Sequence, residues 1–113
     1  MSKKILTYGG YFESFLATLN EKEIEKIDYV LVLLQTQDRV PTKFIKYLKE
    51  EIFEIRIKYE NKYYRIFFIF DEGQLVILFN GIQKKSKKTP KKEIKKAIEI
   101  KKSYYADKQS RNP

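Results

Sequence analysis

Residues 62–71 read Lys-Tyr-Tyr-Arg-Ile-Phe-Phe-Ile-Phe-Asp. As a strand this stretch is apolar on both faces apart from Arg65, and such a strand belongs in the middle of a sheet. Its neighbours fit that place. Phe53, Ile55, Ile57 and Tyr59 alternate with Glu54, Arg56 and Lys58, the period of a strand with one face buried. Asn61, which tolerates positive φ, marks the turn between the two. Asp71-Glu72-Gly73 supplies a hairpin loop, and a third strand is expected over 74–81. Three consecutive strands with short turns make an antiparallel meander.

The first half has a different period. Lys3 to Tyr8 is a weak strand candidate, broken by Gly9-Gly10. Phe12, Phe15, Leu16 and Leu19 then fall at helical spacing, giving a short helix over 11–19. Asn20 followed by Glu23 is an N-cap with its capping-box partner. It opens a helix to about Gln35 whose buried stripe is Ile24, Ile27, Val30, Leu31 and Leu34. The fold expected is α+β: two N-terminal helices packed on one face of a mainly antiparallel sheet of three to four strands, plus a C-terminal helix. The other sheet face is left for a groove.

That last helix is introduced by Lys84-Lys85-Ser86-Lys87-Lys88-Thr89-Pro90. Thr89 reads as an N-cap and Pro90 as the first helical residue, with the helix running to about Tyr105. Ile94, Ala97, Ile98, Ile100, Tyr104 and Tyr105 fall on one side. Lys101 lies within that stripe and has to snorkel or find a partner. Residues 1–105 are expected to form one domain and 106–113 a flexible tail.

Charge is concentrated in the same region. Residues 81–113 hold 12 of the 24 Lys and Arg but 3 of the 15 Asp and Glu, so they carry the whole net charge of +9. Lys91 and Lys92 sit in a first helical turn, where the helix dipole disfavours cations. An anionic partner repays that cost, because helix N-termini and lysines both attract phosphate; nucleic acid is the first candidate. The competing reading is a solvated basic face.

Cysteine and histidine are both absent. That excludes disulfides and Cys-His catalytic sets, removes the usual zinc ligands and the commonest general base, and fits a reducing cytoplasm. No metal or cofactor is expected, and no apolar run is long enough to span a membrane. The chemistry left is that of Arg and Lys. Arg56 and Arg65, in adjacent strands, are expected to share a sheet face beside the lysine loop, either as the floor of an anion-binding groove or as cross-strand ion pairs with Glu54 or Asp71.

Three segments together resemble the RelE/ParE toxin superfamily, nearest its HigB-type or phage Gp49-like branch. They are Glu51-Ile-Phe-Glu-Ile-Arg56, Tyr64-Arg65-Ile-Phe-Phe-Ile-Phe70, and Leu78-Phe-Asn-Gly-Ile-Gln-Lys84 with its Lys85-Ser-Lys-Lys88-Thr89-Pro90 continuation. The resemblance implies a RelE-like fold and a toxin of a type II toxin–antitoxin system, acting as a ribosome-dependent, metal-independent mRNA endonuclease that works through the 2′-hydroxyl. It assigns catalysis to Arg56, Arg65, Lys84, Lys85 and Lys88. RNA binding falls to Lys87, Lys91, Lys92, Lys95 and Asn80. The partners implied are an antitoxin of helix-turn-helix type and mRNA on the ribosome. Asn80 stands where many relatives carry His, so a lysine has to move the proton, and Ile82 stands where many carry Phe. The alternative is a non-enzymatic toxin or nucleic-acid binder: a ParE-like topoisomerase poison or an inactive RNA binder.

Overall fold

The strand that is apolar on both sides lies at the centre of the molecule. The computed structural model describes residues 3–111. The chain runs β1 (Lys4–Thr7), α1 (Tyr11–Leu16), α2 (Glu21–Thr36), β2 (Ile45–Lys49), β3 (Ile52–Tyr59), β4 (Lys62–Asp71), β5 (Leu75–Lys84) and α3 (Lys91–Arg111). The five strands form one sheet in the order β1-β5-β4-β3-β2. All pairings are antiparallel except β1 with β5, which is parallel.

Alternation along β4 explains why both of its faces are apolar. Tyr64, Ile66 and Phe68, with Ile55, Ile57, Val76 and Leu78 of the neighbouring strands, pack against Phe12 and Phe15 of α1 and Ile27, Val30 and Leu34 of α2. Phe67 and Ile69, with Ile52, Ile77 and Phe79, pack against Ala97 and Ile100 of α3. Each fully buried side chain of this size contributes roughly 1.5–3 kcal/mol, so neither layer is dispensable.

Two polar clusters fix the helices. The Asn20 side chain accepts from the Glu23 N–H at 2.9 Å, and Glu23 Oε1 accepts from the Asn20 N–H at 2.8 Å, a complete capping box. Glu23 Oε2 also accepts from the Tyr64 hydroxyl and the Gln83 amide, joining α2 to β4 and β5. At the other end, Asp71 accepts from Tyr104 at 2.6 Å and from Lys108 at 2.8 Å.

The structure corrects the expected fold in several places. The sheet has five strands, not three or four, so two helices over a smaller sheet is not the arrangement; the weak strand candidate over 3–8 is present as β1. β2 is an edge strand whose turn signal is missing: Glu50 and Glu51 occupy the positive-φ positions (49° and 63°) that the turn code gives to Asn or Gly. The second face is not left open, because α3 covers it. Residues 106–111 are not a loose tail but the last turns of α3, held where Lys108 reaches Asp71 and the Tyr8 hydroxyl donates to Asp107. Residues 112 and 113 lie outside the described residues. Lys101, inside the apolar stripe, donates its ammonium to the Glu50 carbonyl. Among the described residues no helix is long and apolar enough to cross a membrane.

Candidate functional site

Strand register brings the two arginines together. Arg56 of β3 pairs directly with Arg65 of β4, so both side chains stand on the α3 side of the sheet. Like charges directly opposite destabilise a strand pair. Glu54, two residues before Arg56 on the same face, answers both: its Oε1 lies 3.5 Å from Arg56 Nε and 3.7 Å from Arg65 Nε. Its Oε2 accepts from the Thr89 hydroxyl at 2.5 Å.

The two arginines then differ. Arg65 is 2% exposed and both of its terminal nitrogens donate internally. Nη2 donates to the Lys87 carbonyl at 2.8 Å and Nη1 to the Tyr64 carbonyl at 3.2 Å. Burial pushes the guanidinium below its ordinary pKa, Glu54 opposes that, and Arg56 adds to it. The expected open floor with two arginines is therefore corrected: Arg65 lies beneath the surface as a brace. Arg56, with 28% of its side chain exposed, is the arginine a ligand can reach.

The lysine loop is pinned by its backbone. Arg65 holds the Lys87 carbonyl, and the Lys84 ammonium donates to the Lys88 carbonyl. Thr89, read as an N-cap, spends its hydroxyl on Glu54 instead, and α3 starts at Lys91. With its carbonyls turned inward the loop leaves the side chains of Lys85, Lys87 and Lys88 exposed.

Asn80 departs from its expected role. Ile66 pairs with Gly81 and Phe68 with Leu78, so Phe67 faces two residues, Phe79 and Asn80. This bulge turns Asn80 toward α3, where its amide donates to the Glu93 carbonyl at 3.3 Å and to Glu93 Oε1 at 3.4 Å. It is 2% exposed and out of reach of RNA. Among the described residues, Asn80 Oδ1 and Arg65 Nε are buried side-chain polar atoms without a hydrogen-bond partner.

Above the brace is an open cleft of about 380 Å³, lined by Lys46 and Leu48 of β2, Arg56, Lys87, Lys88, Thr89 and Ile94. Its four cations face no acidic lining residue. Lys46 enters because β2 pairs it with Glu54, on the same face; reading β2 as a strand is the signal that would have found it. Lys84 and Lys85 are not part of the cleft lining. Lys91, Lys92 and Lys95 lie exposed on the first turns of α3. Among the described residues no three His, Cys, Asp or Glu side chains cluster as metal ligands. What this arrangement can do is hold an anion between a guanidinium paired with Glu54 and the ammonium groups of a loop whose backbone is pinned.

No curated protein matches the chain. A family profile matches residues 14–102, most of the chain, and the chain thereby belongs to the family described as phage derived protein Gp49-like (DUF891).

Proposed function

We propose that this protein is the toxin of a type II toxin–antitoxin pair, of the RelE/ParE superfamily and its HigB-type branch, and that it cuts mRNA on the ribosome in the cytoplasm. Membership of the Gp49-like family supports a toxin-like role. The observation that carries the reading is the cleft: Lys46, Arg56, Lys87 and Lys88 converge on one open space above a buried Glu54–Arg65 brace.

In this reading the 2′-hydroxyl oxygen attacks the adjacent phosphorus and the 5′-oxygen leaves, giving a 2′,3′-cyclic phosphate and a 5′-hydroxyl. Arg56 takes the non-bridging oxygens, where charge builds in the transition state. Lys88, in the cleft lining, moves the protons, since Lys85 lies outside that lining and the Lys84 ammonium is engaged by the Lys88 carbonyl. Arg65 acts as a positioning residue through the Lys87 carbonyl. The ribosome aligns the substrate, which can supply a large part of the rate. An acidic helix-turn-helix antitoxin silences the toxin by covering the cleft.

The test is cleavage of mRNA on purified ribosomes together with growth arrest on expression. Wild type should cut, and Arg56→Ala should lose about 10²–10³ in rate. Lys22→Ala, on the exposed side of α2, should behave as wild type. The absence of histidine and the burial of Asn80 favour a second reading, a non-enzymatic toxin or a topoisomerase poison. Growth arrest with intact mRNA and induced DNA-damage signalling would establish that reading instead.

A further inference from the structure

Ile94 is part of the cleft lining. The same residue also lines a second groove of about 610 Å³, which runs along α3 against the β2–β3 turn. Ile94 and Ile98 give it an apolar lining. Lys49 contributes from β2, and Lys91, Lys95 and Lys102 from α3. Lys91 to Lys102 spans about 16 Å of helix axis. Two acids, Glu50 and Glu99, complete the lining, and Glu99 is matched by Lys102 at 3.4 Å.

The far wall of this groove is a turn held in place against a conformational cost. Glu50 and Glu51 both sit at positive φ, a region that disfavours side chains with a Cβ. Two contacts hold them there. The Lys101 ammonium donates to the Glu50 carbonyl from α3, and the Glu51 N–H donates to the Tyr47 hydroxyl at 3.2 Å. The turn is thus tied to the helix it faces, and Lys49 lines the same groove as Lys95 and Lys102.

We propose that this groove binds the flanking stretch of the same single-stranded RNA whose phosphate occupies the cleft. The strand runs from Arg56 and Lys88, past Ile94, toward Lys49 and Lys102. The inference rests on reading the cleft as an RNA site. Four ammonium groups against two carboxylates favour a polyanion, and the apolar floor suits a ribose or base face while lysines take the phosphates. The groove also shares Ile94 with a cleft that has no acidic lining residue.

Oligoribonucleotides with 2′-O-methyl riboses cannot be cut through the 2′-oxygen, so fluorescence anisotropy reads binding alone. Lengthening the RNA from about three to about eight nucleotides should tighten binding to wild type. The Lys49→Ala/Lys102→Ala double variant should lose that gain and still bind the short RNA as wild type does. For the long RNA, its slope of log K against log salt should fall by about 1.4, two contacts at about 0.7 each. Arg56→Ala should weaken both lengths. Circular dichroism reports that each variant is folded. The proposal is overturned, with the cleft reading intact, if wild type gains nothing from length or if the double variant keeps the gain. If neither length binds wild type, the cleft reading fails and this inference falls with it. If a poly-glutamate peptide binds wild type but not the double variant, while long-RNA binding is unchanged, the groove docks a protein and the proposal is wrong.

Discussion

Glu54→Gln isolates the charge at the centre of the brace. Glutamine keeps the volume and an acceptor for the Thr89 hydroxyl but removes the negative charge between two guanidinium groups. The carboxylate is 1% exposed and lies 3.7 Å from an Arg65 that is 2% exposed, so water cannot replace it. At an effective dielectric of about 20, two unit charges at that separation attract by about 4 kcal/mol. That agrees with the roughly 3–5 kcal/mol lost when one partner of a buried pair is removed. Arg56, directly opposite Arg65, then adds repulsion that nothing offsets. Set against a total stability of about 5–15 kcal/mol, the loss should lower the melting temperature by on the order of 15 °C. Urea unfolding followed by circular dichroism measures it. The Glu54→Gln/Arg65→Met double variant removes both charges and should lose clearly less than the two single variants summed, with a coupling of about 2 kcal/mol. A Glu54→Gln protein within about 1 kcal/mol of wild type, or a cycle that is additive, would refute the argument that Glu54 is the counter-charge of Arg65.

Three further outcomes follow from the same structure. Arg56→Ala should stay within about 1 kcal/mol of wild type in urea, because a half-buried surface pair is worth little, while losing ribosomal mRNA cleavage; Arg65→Ala should lose stability and cleavage together. Gly81→Ala places a methyl group 2.5 Å from the Phe15 ring and should cost about 1–3 kcal/mol through overpacking, read as a shift of the unfolding midpoint. The Glu23 carboxyl is held below its ordinary pKa, first by the Asn20 N–H and then by the Tyr64 hydroxyl. The stability it contributes is present above the unfolded value of about 4.3 and is lost as pH falls through the depressed folded value; urea midpoints across the acid range should therefore fall less steeply for Glu23→Gln than for wild type.

The legible parts of the chain were those whose signal is local. The bounds of β4 can be read from its composition, and the Asn20–Glu23 capping box forms as its spacing says. That Arg56 and Arg65 share a face follows from period-two counting across the Asn61 turn. What was hidden depends on contacts distant in sequence. β1 shows as a weak strand candidate over 3–8, but its parallel pairing with β5 is announced by no hairpin signal. β2 is hidden by a turn built from two glutamates. Residues 106–111 are polar and read as a tail, but Asp71 and Tyr8 hold them as helix. The site was half legible for the same reason. Residue type pointed to Arg65 as an anion ligand, but its burial depends on the Lys87 carbonyl folding back over it. The resemblance gives Asn80 to RNA binding, but the bulge at Phe79 sends it under α3.

The parallel pairing of β1 with β5 sets an order of events in folding. β3, β4 and β5 are joined by short turns, so their pairing is local and fast. Lys4 must wait for Leu75, and Thr7 for Leu78, across nearly the whole intervening chain. During synthesis β1 emerges first and is the last strand to find its partner. Until it does, β5 presents an unpaired edge of the kind that recruits strands from other chains. The four residues Lys4–Thr7 thus act as a late-arriving edge guard, and dilution or slower synthesis should favour the monomer over strand-swapped or aggregated forms.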